Sequence, residues 1–357
     1  MATAKDVAPS WPDVRRCPRA KRSLTHLDTV FPRITIPPLP PPAADASWLT
    51  GAGGVRLYAS ARLPGVESVG VIYFVLGPEI GSAELYPRFA DAARRAGFVT
   101  AVLHPRGTGY SDGLRGDIDD YELFLGDVEQ GLECLRQRFP TKPIFLFGHS
   151  AGAALALELA ARSSRIAGLI VVNPAYRVIY SEGMGPSFIN YVAYAWNFLF
   201  RRSALTVDMN SAPSRVRDAA DRAEAEAMQR DPLVVRYFSL RYLVAQKHVM
   251  DRCATNASLT DAPILLVQGA RDSLVDPTRN DEILAAARTT DKAKLVATLG
   301  AHGSTAVETM VDDILAWLQK HASPADGLRP QTINHTTSII GAAITPTQKI
   351  VCPAIHE

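Results

Sequence analysis

Between residues 46 and 320, short runs of β-branched and aromatic residues alternate with text of helical period, and this alternation constrains the fold more than any other feature. The runs are GVRLYASARL (54–63), GVIYFVL (70–76), FVTAVLH (98–104), PIFLFG (143–148), IAGLIVVN (166–173), PILLVQG (263–269) and KAKLVATL (292–299). Most are continuously apolar, as strands buried on both faces are. The expected class is therefore α/β, with a mostly parallel central sheet flanked by helices. Helices are expected over 85–96, 121–139, 152–162, 277–287 and 305–321. In the last, Val307, Met310, Val311, Ile314, Leu315 and Leu318 recur at helical spacing and give one apolar face.

One interval breaks the rhythm. From 175 to 260 the text is helical with no convincing strand, between the strand ending at Asn173 and the one starting at Ile264. Insertions at strand ends are where α/β sheets place active-site loops, so this interval reads as a helical lid. The flanks differ from everything between. Residues 1–42 hold nine of the 25 prolines and seven Lys/Arg against three acids, and residues 321–357 hold none of the 27 aromatics. The expected organisation is a Pro-rich basic extension (1–45), a core (46–174 and 261–320) enclosing the lid (175–260), and a tail (321–357), both ends poorly ordered.

The charge balance, 38 basic against 36 acidic residues, offers no field for a nucleic-acid backbone, so no nucleic-acid partner is expected. The four cysteines, Cys17, Cys134, Cys253 and Cys352, are scattered, and reduced thiols are expected. No apolar run is long enough to span a bilayer, and the N-terminus lacks the apolar core of a signal peptide. A cytoplasmic location is the default expectation.

The chemistry concentrates at Gly148-His149-Ser150-Ala151-Gly152, a G-x-S-x-G placed directly after the strand IFLF and directly before AALALELAAR, a strong helix former. A strand that turns at once into a helix forces the serine into a strained conformation, leaves room only for glycine two residues either side, and exposes the hydroxyl. The helix then points its free amides, beginning at Ala151, toward an oxyanion formed there. A serine needs a base, and the base an orienting carboxylate. Of eight histidines, His302 in the loop LGAHGST between the last strand and last helix is best placed, with His104 as second candidate. Two acids follow the strand ILLV. Asp272, on the turn directly past the strand, is taken as the orienter, and Asp276, before Pro277, as a helix N-cap.

The order Ser150, Asp272, His302 resembles that of the α/β-hydrolase superfamily. Within it the chain resembles the monoacylglycerol lipase and lysophospholipase-like group, also called the serine aminopeptidase S33 family, over about residues 50–320. GSAELYPRFADAARRAGFVTAVLHPRGTGYSDG (81–113), GDVEQGLECLRQRFP (126–140) and Asp231-Pro232-Leu233-Val234 carry the likeness beyond the triad. The resemblance implies an α/β-hydrolase fold with the lid inserted after its sixth core strand. The sequence departs from the group at two places. The oxyanion loop reads Leu76-Gly77-Pro78-Glu79-Ile80-Gly81 without the usual H-G, and Pro78 has no amide hydrogen, which leaves Glu79 N–H as second oxyanion donor, with Gly77 and Ile80 as alternatives. His104 also stands where the group commonly has Asp.

These residues predict a serine esterase that forms an acyl-enzyme on Ser150 and needs neither metal nor organic cofactor. Residues 180–200 hold seven aromatics, and Tyr191, Tyr194, Trp196 and Phe198 among them are the candidate wall for an acyl chain or for transient membrane-surface contact. The expected partner is a small acyl ester or lipid resembling a monoacylglycerol or lysophospholipid. Acyl transfer or aminopeptidase action on the same triad, or a non-catalytic binding role, are the alternatives.

Overall fold

A computed structural model of the chain describes residues 47–77, 86–178, 205–208, 216 and 218–323. Eight strands form one sheet: β1 (Ser47–Thr50), β2 (Arg56–Arg62), β3 (Gly70–Val75), β4 (Phe98–Leu103), β5 (Ile144–His149), β6 (Gly168–Val172), β9 (Ile264–Gly269) and β10 (Lys292–Ala297). Between β6 and β9, β7 (Leu205–Asp208) and β8 (Tyr237–Ser239) form a separate antiparallel pair. The helices are α1 (Pro87–Arg95), α2 (Tyr121–Arg138), α3 (Ala151–Arg162), α4 (Ala219–Met228), α5 (Leu240–Asp251), α6 (Cys253–Ala257), α7 (Pro277–Ala286), α8 (Thr305–Glu308) and α9 (Val311–Ala322).

The sheet runs β1-β2-β4-β3-β5-β6-β9-β10, with β1 and β2 antiparallel to their neighbours and every other pairing parallel. Strand β3 shows why its text is continuously apolar. Val71, Tyr73 and Val75 enter one core with α2, α3, α5 and α6, while Ile72 and Phe74 enter a second core with α1 and α9. Period-2 alternation puts a hydrophobic residue on each face because both faces are covered. Strand β10 is one edge, and its exposed Lys292 and Lys294 blunt it against pairing with another chain.

Local signals account for several helix starts. Asp120 caps α2 by accepting from the amides of Glu122 and Leu123, and Asp276 caps α7 with Pro277 in the first turn. Helix α1 has no side-chain cap of its own; instead Glu308, at the end of α8, accepts the Arg88 amide at 3.2 Å.

Three expectations need correction. The interval 175–260 is not free of strands, since β7 and β8 pair there. Runs of three or four residues are too short to show a period of two, and their partners lie far apart in sequence. The expected helix over 305–321 is two helices, because Met310 leaves helical geometry (φ −120°, ψ 21°) and Asp312 and Asp313 favour a new N-terminus just after it. Cysteine usage also differs: Cys253 is a buried free thiol, whereas Cys134 on α2 is disulfide-bonded. Scattered spacing carries no information about pairs that folding brings together. The expected extension (1–45) and tail beyond 323 lie outside the described residues, and no described helix is long and apolar enough to cross a membrane.

Candidate active site

Strand β5 ends at His149 and α3 begins at Ala151, so one residue makes the whole turn. Ser150 makes it with φ 53° and ψ −120°, a backbone strain that L-residues carry rarely and at functional positions. The flanking glycines are required by contact. A Cβ on Gly148 would collide with the backbone of Gly152 and come within 2.7 Å of Ala153 Cα, and one on Gly152 would lie 2.8 Å from Gly77 N. The chain leaving β3 therefore passes directly against the elbow. Ala151 opens α3, where first-turn amides have no acceptor within the helix. Glu79, the expected second donor, and Tyr191, Tyr194, Trp196 and Phe198 lie outside the described residues.

The structure brings Ser150, His302 and Asp272 together from three strand ends. His302 Nε2 lies 2.9 Å from Ser150 Oγ, and His302 Nδ1 lies 2.9 Å from Asp272 Oδ2. The Asp272 carboxylate accepts Nδ1–H from the imidazole, which leaves Nε2 as the acceptor for the serine proton. Asp272 Oδ1 is occupied by the amides of Leu274 and Val275 at 2.9 and 3.0 Å, so the turn after β9 fixes the carboxylate before it meets the imidazole. The Asp272 side chain is fully buried and that of His302 is 12% exposed. Burial opposes the charged imidazole, but the hydrogen bond and charge of Asp272, helped by Asp221 and Glu224, outweigh it and raise the His302 pKa above the ordinary value. Asp276 does not reach the site; it accepts the amide and hydroxyl of Thr278 as the cap of α7.

The other histidines have different work. His104, just past β4, accepts the Tyr110 amide at Nδ1 and packs against the rings of Tyr58 and Tyr110, and burial together with Arg115 lowers its pKa to about 4. His149 donates Nε2–H to the His302 carbonyl at 2.6 Å, and burial and the neighbouring His302 lower its pKa to about 3. Both rings are neutral at pH 7.

Sequence reasoning missed the groups that hold the His302 loop. Asn173, fully buried at the end of β6 with φ 41°, donates to the carbonyls of Ala301 (2.9 Å) and His302 (2.7 Å). Its Oδ1 accepts from Gly269 N–H (2.8 Å) and Gln268 Nε2 (3.1 Å), and Gln268 in turn accepts from Asn280 on α7. This chain of side-chain amides locks the ends of β6 and β9 to the loop after β10. A polar residue ending an otherwise apolar strand was the available signal. On the other side, Asp221 and Glu224 of α4 accept the amides of His302, Gly303 and Ser304. No signal pointed to these two, which sit on an ordinary charged helix.

Known proteins resemble this chain in sequence and in fold. The family model described as "Serine aminopeptidase, S33" matches residues 69–323. Monoglyceride lipase of Homo sapiens is 27% identical over 260 residues, covering 70% of this chain and 81% of that protein. Monoglyceride lipase of Mus musculus is 29% identical over 192 residues, 52% of this chain and 60% of the mouse protein, so that match spans about three fifths of the relative. Among solved structures, a soluble variant of monoglyceride lipase from Saccharomyces cerevisiae in complex with a substrate analog superposes with a TM-score of 0.64 at 19% identity, covering 81% of this chain and 97% of that one, a likeness of fold. With an α/β-hydrolase sheet, a strained serine between strand and helix, and a family match across most of its length, the chain belongs to the serine aminopeptidase S33 family of α/β-hydrolases.

Proposed function

We propose that this carboxylic-ester hydrolase works through an acyl-enzyme on Ser150, with His302 as general base and Asp272 as its orienter, and that its substrates are esters of hydrophobic acyl chains resembling monoacylglycerols or lysophospholipids. The observation that carries the reading is the unbroken line from Ser150 Oγ to His302 Nε2 and from His302 Nδ1 to Asp272, at 2.9 Å for each link.

Ser150 Oγ attacks the ester carbonyl as its proton passes to His302 Nε2. The Asp272 carboxylate keeps Nδ1 protonated and stabilises the imidazolium. The amide of Ala151 and one from the 77–80 loop, Glu79 foremost, receive the oxyanion, a contribution of about 3–4 kcal/mol per donor. His302 then returns its proton to the leaving alcohol, and water activated by His302 releases the acid. The acyl-chain preference draws support from the monoglyceride lipase relatives and from the aromatic text of residues 180–200.

The test is turnover of p-nitrophenyl esters of increasing chain length, of monoacylglycerols and of lysophospholipids, with Ser150→Ala as control. Longer acyl chains are expected to outperform acetate, and Ser150→Ala to lose at least about 10⁴-fold in kcat with its melting temperature unchanged. A fully active Ser150→Ala variant overturns the acyl-enzyme, and preferential cleavage of aminoacyl anilides overturns the substrate class.

A further inference from the structure

We infer that Asp221, on α4 in the segment between β6 and β9, is a positioning residue for His302, gripping the His302 peptide so that the imidazole stands between Ser150 and Asp272. The inference rests on the triad reading above and adds to it a group that touches neither substrate nor reacting atoms.

The geometry is a two-pronged hold. Asp221 Oδ2 accepts His302 N–H at 2.9 Å and Oδ1 accepts Gly303 N–H at 2.8 Å. One turn further along the same helix, Glu224 accepts Ser304 N–H at 2.8 Å and the Ser304 hydroxyl at 2.7 Å. Three successive amides of the loop thus end on carboxylates of one helix face. The opposite side of the same peptide is held equally, since the His302 carbonyl accepts from Asn173 Nδ2 at 2.7 Å and His149 Nε2 at 2.6 Å. With amide and carbonyl both fixed, two side-chain torsions remain, and the contacts to Asp272 and Ser150 fix those.

A helix start needs acceptors for its amides in any case, and Ser304 gives α8 no side-chain cap. A neutral Asn or Ser would serve that purpose. Asp221 instead places a carboxylate, 4% exposed, beside the base. Burial pushes its pKa up, against the pull of the two amides and His302. The charged groups around it are His302 and Asp272 across the loop, Asp218, Arg222 and Glu224 on its own helix, and Arg271, which pairs with Asp218. Its charge adds to that of Asp272 in favouring the imidazolium. Helix α4 also holds the turn carrying Asp272, because Asp218, its N-cap, is the partner of Arg271. One helix from outside the main sheet therefore grips two of the three triad loops.

The experiment measures the rate at which a fluorophosphonate probe labels Ser150 from pH 5 to 9, together with kcat and KM on a p-nitrophenyl ester and thermal melting. The proteins are the full chain, Asp221→Asn and Asp221→Ala, with Asp251→Asn, in an exposed ion pair on α5, as control. Asp221→Ala is expected to label about 100-fold more slowly, as a small misplacement of the base would cause. Asp221→Asn, which keeps one acceptor oxygen, recovers part of that rate, moves the acidic limb of the profile to lower pH, and leaves KM within about twofold. Folded Asp221→Asn that labels at the parental rate with an unmoved limb overturns the inference. So does a rate that falls only in proportion to folded protein. A parental chain that does not label overturns the Ser150 reading itself, a different failure from an unaffected Asp221 variant.

Discussion

At the site, Asp272 divides its two oxygens between structure and chemistry. Oδ1 closes its own turn on the amides of Leu274 and Val275, and Oδ2 meets the imidazole. Asp272→Asn keeps an acceptor for the turn but can present an amide N–H to Nδ1, which favours the tautomer with its proton on Nε2, facing the serine. The expected loss is about 10⁴-fold in kcat, with little change in folding. The pH dependence has a definite sign. The base must be neutral, so kcat/KM rises as pH climbs through the His302 pKa, which lies above the ordinary histidine value because burial is outweighed by Asp272, Asp221 and Glu224. Removing the Asp272 charge moves that limb to lower pH, which pH profiles of both proteins on a p-nitrophenyl ester will show. Ser150 is legible from five residues of sequence because strand, glycines and helix all constrain the same turn. Asp272 could be separated from Asp276 because Pro277 marks a helix start. Asp221 could not be read at all, since a hydrogen bond across 81 residues leaves no local pattern.

Among the elements, the loop after β4 depends on one buried pair. Arg106 places two guanidinium nitrogens on the Asp127 carboxylate at 2.7 Å each, and its own amide donates to the same group at 2.9 Å. The Asp127 side chain is 1% exposed and that of Arg106 11%, so the loop is riveted to the middle of α2. Breaking a buried pair from one side leaves a charge without its partner, and Asp127→Ala is expected to cost about 3–5 kcal/mol in urea unfolding. The double change Arg106→Met with Asp127→Leu should restore most of it, because neither charge is then left alone. An Asp127→Ala protein as stable as its parent would show the pair to be dispensable. Elements of this kind divide by how local their cause is. Strands β3, β5, β6 and β9 are plain in the sequence because burial on both faces makes them continuously apolar, and α7 because Asp276 and Pro277 announce it. Strands β7 and β8 are invisible because each exists only through pairing with the other, and the break before α9 because it reflects where Glu308 must stand to meet α1.

Across the whole molecule, the order of strands is a property no single segment carries. The apolar text of β3 says that both faces are covered; that β4 and β5 are its neighbours follows from crossovers packing α1 and α2 on opposite faces. The same burial sets how the protein responds to acid. His104 and His149 are neutral in the folded state, with pKa values lowered to about 4 and about 3, whereas an unfolded histidine titrates near 6.5. Between those limits the unfolded chain binds protons that the folded one does not, so stability falls as pH drops, by about 1.4 kcal/mol per pH unit for each ring. His302 acts with the opposite sign. Its raised pKa contributes stability that is fully present below the unfolded value and is lost as pH rises through the folded one. The expected outcome is a denaturation midpoint that drops steeply from pH 6.5 toward 4. His104→Asn keeps an acceptor for the Tyr110 amide and cannot titrate, so its pH slope over that range should be smaller than the parent's by about 1.4 kcal/mol per unit. Urea titrations of both proteins at half-unit intervals measure the difference. Equal slopes would mean that His104 gains protons in the folded state as readily as in the unfolded chain, and the burial of its ring against Tyr58 and Tyr110 would then carry no electrostatic cost.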